Sequence, residues 1–366
     1  MKIECIKEQL ENALNKADKI AGKNINLPVL AGFYLEALGN NLIIKSTNLD
    51  IGISIKLAVK VIEPGVVVVP AHTLTAFISS LSKDKNIILS SKSEFLEIKT
   101  TSTKTKIKTL PAEEFPIIPE ISEDGAFSIP SRDLVFGIRS VGYAAAVGSI
   151  KPELSSISIT HEGDFLVFAA TDSFRLAEKK VKIKIAPHFK QILLPQKNAL
   201  EAMKIFDRGE ENISISITEH QIALRTNNIY LTSRTIEGVF PDYKQIIPKS
   251  KNTGATLLKQ DLIDSVKTTL IFSDSFNQLT IRANPKEKLF ELESKNNALG
   301  ENTHQVDAVL EGENISINVN SRYFTDCLQS LSTDSVSLAF SGVAKPIIVS
   351  GVGDTSFLYL VMPMNQ

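Results

Sequence analysis

Pro70, Pro195 and Asn320 stand 125 residues apart. Each closes a β-branched apolar run and opens a segment with helical spacing: VVVVPAHTLTAFISSL, QILLPQKNALEAMKIF and ISINVNSRYFTDCLQSL. A period of this kind constrains the architecture more than any motif, because the chain must build one supersecondary unit repeatedly. The apolar positions superimpose at i, i+3, i+4 and i+7, the stripe of a single helix face. They are Leu74, Phe77, Ile78 and Leu81; Ala199, Ala202, Met203 and Phe206; and Phe324, Cys327, Leu328 and Leu331. A second helix is expected early in each repeat, through Leu10, Ala13, Leu14 and Ala17, then Leu134, Gly137, Ile138 and Val141, then a weaker stripe of Leu262, Ser265, Val266 and Thr269.

Between the helices, NLIIKSTNLDIGISIKLAV, DFLVFAATDSFRLAEKKVKI and NQLTIRANPKEKLFELESK read as antiparallel strands. LPAEEFPIIP and VFPDYKQIIP, whose Pro116 and Pro241 are again 125 apart, read as linkers. The expected fold class is α+β: three similar domains in series, 1–125, 126–250 and 251–366, each with two helices packed on antiparallel sheet. A length of 366 residues suits several cores rather than one, and 43% apolar with 22% charged residues suits a soluble globular protein.

Composition also restricts function. Forty Lys and Arg against 41 Asp and Glu disfavour a static, charge-driven grip on DNA. No Trp and only 7% aromatics leave little for a base-stacking platform. Any DNA contact should therefore be weak and directed at the backbone. Gly22-Lys23 is followed by Asn24, so no phosphate-binding loop is present. His72, His161, His188, His220 and His304 lack HExxH or other ligand spacing, and no metal or cofactor is expected. GxSxG and Cys-x-x-Cys are absent, and Glu113-Glu114 and Glu210-Glu211 read as solvated pairs in turns. Cys5 and Cys327 are too few for a disulfide framework, and Cys327 reads as core. Glu4 and Glu8 interrupt the apolar stretch that a signal peptide needs, and no later run spans a membrane, so cytoplasmic localisation without membrane attachment is expected.

LPAEEFP, AATDSFRLA, VFPDYKQIIP and the C-terminal YLVMPM resemble the bacterial sliding clamp family, the β subunit of DNA polymerase III, along the whole chain. The resemblance implies the DNA clamp fold and a head-to-tail homodimer that closes a ring around double-stranded DNA, without sequence preference, helices lining the hole and sheets outside. It implies a non-enzymatic processivity factor in DNA replication. Its partners would be the DNA polymerase III alpha subunit, an ATP-dependent clamp loader, and other replication and repair proteins carrying a short apolar clamp-binding motif. Near-neutral charge suits a ring held by topology, which needs only weak phosphate contacts to slide.

By position, the resemblance implies a peptide-binding pocket of Leu154, Thr171, Phe174, Arg175, Leu176, Pro241, Ile246, Asn320, Tyr323, Val361, Met362, Pro363 and Met364, with Asn320 and Tyr323 bonding the peptide backbone. Read without it, Leu176 is simply core. Ser173-Phe174 stands where Gly-His is common in the family, Gln245 where Arg is common, and Asn365-Gln366 where Arg-Leu is common, so the pocket should be more apolar and less attractive to acidic flanks. DNA contacts are implied for Lys23, Asn24, Lys151 and Lys197. The dimer interface would set Lys104, Lys106 and Ile107 against Glu291 and Glu293, with Leu270 and Ile271 as apolar contact. The residues alone equally describe Lys104–Lys108 as an edge strand guarded by lysines. Two other readings stand beside this one: a three-repeat peptide-binding scaffold that does not encircle DNA, and an enzyme with an interdomain cleft.

Overall fold

The computed structural model describes residues 1–22, 27–82, 84–148, 150–184, 189, 191–207, 209 and 211–364. Each repeat opens with a strand that runs directly into a helix: Lys2–Ile6 into Lys7–Asp18, Phe127–Pro130 into Ser131–Val141, and Thr253–Leu258 into Lys259–Thr269. The same step recurs at the three marker positions, Gly65–Pro70 into Ala71–Ser80, Gln191–Pro195 into Gln196–Phe206, and Ile315–Asn320 into Ser321–Asp326. Proline suits the first two junctions because a helix start has no use for its missing N–H. At the third, the Asn320 side chain accepts from the backbone N–H groups of Arg322 and Tyr323 and caps the helix.

The helix stripes are buried largely as the spacing predicts. Leu10, Ala13, Leu14 and Ala17 form one inner face, and even the weak stripe Leu262, Ser265, Val266 and Thr269 is wholly buried. Gly137 has a specific reason to be in its stripe: a Cβ there would lie 2.5 Å from the Phe168 ring, so only glycine lets helix and strand approach this closely. Two positions deviate. Phe77 and Met203 are half-buried, and the helix at Gln196–Phe206 turns Ile205 inward instead. The last helix stops at Asp326 and tightens into a 3-10 turn over Cys327–Ser330, yet Phe324, Cys327, Leu328 and Leu331 all remain in the core.

The chain forms two compact units, residues 1–132 with 200–235, and residues 133–199 with 236–366. The first contains a five-stranded and an eight-stranded sheet; the second contains a nine-stranded and a four-stranded sheet. In the eight-stranded sheet Ile229–Arg234 pairs antiparallel with Ile51–Ala58, Leu231 opposite Ile53. In the nine-stranded sheet Arg175–Lys182 pairs with Phe357–Val361, Leu176 opposite Leu360. Ladder hydrogen bonds thus join strands of successive repeats, and compactness cuts across the sequence period. The segments read as linkers are pinned as well: the Tyr230 hydroxyl donates to Pro119 O at 2.7 Å and accepts from Ile121 N–H at 3.1 Å.

Candidate functional site: an apolar cleft beside a strained turn

The site begins at the turn between strands Phe165–Thr171 and Arg175–Lys182. Asp172 Oδ1 accepts from the N–H groups of Phe174 and Arg175, both at 3.0 Å. The Thr171 hydroxyl donates to Arg175 O at 2.6 Å and accepts from Ser173 N–H at 3.1 Å. Short polar side chains that bond their own backbone build such turns. Ser173 sits at φ 80°, the left-handed region, at a cost of about 1–2 kcal/mol for a residue with a Cβ.

The turn delivers Arg175 to a nest of partners. Its Nε donates to Asp172 Oδ2 at 3.0 Å, its Nη1 donates to Asp326, and its guanidinium lies 4.4 Å from the Tyr323 ring centroid. Burial opposes the charge, but Tyr359 and the hydrogen bond and charge of Asp326, with Asp172, outweigh it and raise the pKa. The guanidinium is therefore a fixed structural cation, already satisfied. On the other wall the Tyr243 hydroxyl donates to buried Glu178 at 2.5 Å, and its ring packs edge-on against Phe240. Burial first, then the Glu178 hydrogen bond, push the Tyr243 pKa well above its usual value.

Between these walls is a cleft of about 270 Å³. Of the positions expected in the pocket, Leu154, Thr171, Arg175, Leu176, Pro241, Ile246 and Met362 meet there. Phe174 lies beside it, 61% exposed and stacked on Tyr323 at 6.5 Å. Three expectations need correction. Val361 is fully buried and belongs to the sheet core, because alternation along Phe357–Val361 turns it inward. Pro363 and Met364 lie along the neighbouring strand, Pro363 bridged to Val319 and Met364 N–H donating to Asn318 O, and do not line the cleft. Asn320 Oδ1 is taken by its helix cap, while Nδ2 reaches Phe276 O at 3.4 Å and keeps a second N–H, so the amide is left as a donor and not as an acceptor. Leu176 does line the cleft, but at 1% exposure it forms a floor continuous with the core.

The cleft also draws in Lys151, Glu153, Ser173, Asp242, Tyr243 and Leu360. Asp242 and Tyr243 stand inside VFPDYKQIIP, a signal already visible; Leu360 shows only once Leu176 is known to pair with it. Gln245, at the position where the family commonly has Arg, donates to Asp242 at 2.7 Å.

The other expected sites are scattered. Lys23 and Asn24 lie outside the described residues, as do His188, Glu210, Asn365 and Gln366. Lys151 is exposed on the cleft rim, and Lys197 is exposed in the first turn of Gln196–Phe206. Lys104 and Lys106 are exposed on an edge strand of the five-stranded sheet. Ile107, opposite Leu96 and 6% exposed, faces that sheet's interior and is not an exposed apolar contact. Leu270 is half-buried and Ile271 is 67% exposed, while Glu291 and Glu293 share one half-buried face, Glu293 paired with Arg282. Both cysteines are buried, and burial aided by Glu4 lifts the Cys5 pKa to about 12. Among the described residues no group of three or more His, Cys, Asp or Glu could hold a metal ion, and no helix is long and apolar enough to cross a membrane.

Repeated strand-to-helix units and sheets shared between successive repeats together define the three-domain clamp fold. Family models of the DNA polymerase III beta subunit match in order: the N-terminal domain at residues 1–119, the central domain at 128–242 and the C-terminal domain at 244–365. The chain belongs to the DNA polymerase III beta subunit family, and its function is that of a DNA sliding clamp for polymerase processivity. It is 27% identical to the beta sliding clamp of Staphylococcus epidermidis over 364 residues, 97% of this chain and 96% of that protein. The crystal structure of the DNA polymerase III subunit beta from Pseudomonas aeruginosa superposes with a TM-score of 0.93 at 25% identity, covering 100% of both chains. That of the Thermotoga maritima beta subunit also gives 0.93 at 25% identity, covering 100% of this chain and 99% of the other.

Proposed function

We propose that two copies of the chain pair head to tail into a ring around duplex DNA, and that the cleft at Leu176 and Met362 receives a short apolar peptide from the polymerase alpha subunit or another replication or repair protein. The cleft carries this reading. Its floor of Leu176 and Leu360 and its walls of Pro241, Ile246 and Met362 can hide the apolar side chains of a docked peptide. Burying two leucine-sized groups contributes roughly 3–6 kcal/mol before association costs, so an isolated peptide should bind at about micromolar strength.

Two sheet edges support the dimer. Lys104–Lys108 ends the five-stranded sheet and carries lysines outward; Gly300–Gln305 ends the four-stranded sheet that also bears Glu291, Glu293 and Glu301. Open edges of opposite charge suit antiparallel pairing between copies. The three domains of each chain would be 1–125, 126–250 and 251–366, with Lys23, Asn24, Lys151 and Lys197 touching phosphates. No catalytic step is assigned to the chain: it acts in the cytoplasm as a tether, and ring opening falls to an ATP-dependent loader.

Loading onto nicked circular DNA, followed by linearisation, tests the ring. Retention on the circle and loss from the linear form is expected. Equal retention on both, or a monomer at micromolar concentration, overturns it in favour of a scaffold that never encircles DNA.

A further inference from the structure

The first compact unit contains a second cleft, of about 320 Å³, built from the same parts one repeat earlier. The Thr47 hydroxyl donates to Ile51 O at 2.9 Å, as Thr171 does to Arg175 O. Asn48 Oδ1 accepts from the N–H groups of Asp50 and Ile51 at 3.0 Å, as Asp172 does from Phe174 and Arg175. Leu49 has φ 78°, beside 80° at Ser173. A strand from the following repeat is tied to each turn by one main-chain bond of 2.8 Å, Arg234 N–H to Asp50 O and Met362 N–H to Phe174 O. Pro116 and Pro241 supply the corresponding opposite walls.

The lining differs at most positions: Leu49 stands for Ser173, Ile51 for Arg175, Ile117 for Asp242 and Thr232 for Leu360, and two exchanges matter most for a ligand. Gly52 replaces Leu176, and the chain's own Ile118 takes that space: a Cβ on Gly52 would come 3.0 Å from the Ile118 side chain. Arg234 replaces Met362. Three features line this cleft. Ile117 is 93% exposed, Leu49 is 49% exposed while holding a strained backbone, and the buried Thr232 hydroxyl has no hydrogen-bond partner among the described residues. Exposed apolar groups, stored strain and an unsatisfied hydroxyl around one concavity mark a binding surface.

We infer that this cleft is a second peptide-binding site, taking a short extended partner segment with one apolar anchor, the ligand class of the first cleft. The inference rests on reading that first cleft as a peptide site. Exchange of Met362 for Arg234 removes an apolar wall, so the second site binds about tenfold more weakly.

The test titrates the full chain with a pentapeptide containing leucine and phenylalanine, by calorimetry. Three proteins are compared: the unaltered chain, Ile246→Ala with Met362→Ala, and Ile117→Asp. Two classes of site are expected, the tight one lost in the first variant and the weak one lost in the second. Thermal melts of Ile117→Asp should match the unaltered chain, since the side chain lies outside the core. A single class of site per chain, or a weak class that survives Ile117→Asp, overturns the inference and leaves the first cleft standing. A weak class without a tight one overturns the reading of the first cleft instead, and no binding at all overturns both.

Discussion

The hydroxyl of Tyr243 donates to Glu178 Oε2 across 2.5 Å, and that carboxylate, 6% exposed, has Lys180 at 3.6 Å as its ion-pair partner and also acts on the charge of Lys244. Tyr243→Phe should therefore cost about 1–3 kcal/mol, because it strands a buried charge. The raised Tyr243 pKa adds a second signature. The folded state holds the phenolic proton more tightly, so this contribution is complete below the ordinary value of 10.0 and is lost as pH rises above it. Tyr143 and Tyr359 are raised by burial in the same direction, so melts above that pH should show a shallower decline in Tyr243→Phe, not a flat one.

Ser173 is expected to be better served by glycine. Removing the Cβ relieves left-handed strain of about 1–2 kcal/mol and sacrifices about 0.5–1 kcal/mol of chain entropy, for a net gain of up to about 1.5 kcal/mol. Ser173→Gly should raise the melting temperature, and Ser173→Val should lower it. A fall with glycine would mean that the turn's conformation is not left-handed in solution.

Anchors of the peptide cleft divide by burial. Ile246 is 52% exposed and Met362 half-buried, so Ile246→Ala with Met362→Ala should abolish peptide and polymerase binding while the melt barely moves. Leu176→Ala should instead lose about 2–4 kcal/mol of stability along with binding, because Leu176 belongs to the core. Undiminished peptide affinity in the first variant would move the site elsewhere.

The proposed dimer edge divides in the same way. Ile271→Asp places a charge at an exposed contact and should yield a folded monomer by light scattering. Ile107→Asp would bury a carboxylate between Leu96 and the sheet interior and should unfold the unit rather than separate subunits. A persistent dimer in Ile271→Asp would remove that residue from the interface.

Periodicity made the helices and their buried stripes legible, down to the weak stripe at Leu262, because one face of a helix needs several apolar residues in register. It also located the strand-to-helix junctions. Strand faces were harder. Leu176, Val361 and Ile107 each stand in alternating segments, and alternation separates two faces without saying which of them the rest of the fold will bury. The cleft drew its chemistry from such neighbours, so the resemblance named Leu154, Thr171, Arg175, Leu176, Pro241, Ile246 and Met362 while missing Glu153, Asp242, Tyr243 and Leu360 and assigning Lys151 to DNA. Asn320 shows a different limit: a side-chain oxygen at a helix start is as useful to its own backbone as to a ligand, and here the backbone takes it.

Pro70, Pro195 and Asn320 hand the chain from strand to helix with no spacer residue. One added residue at such a junction would rotate the helix by about 100° and swing its apolar stripe away from the sheet. These junctions therefore act as length rulers. Insertions and deletions in this lineage should collect instead at hairpin tips such as Gly39 and Gly163, where no atom lies within 4 Å of an added Cβ, so the molecule can change its outline in evolution while the phase between sheet and helix stays locked.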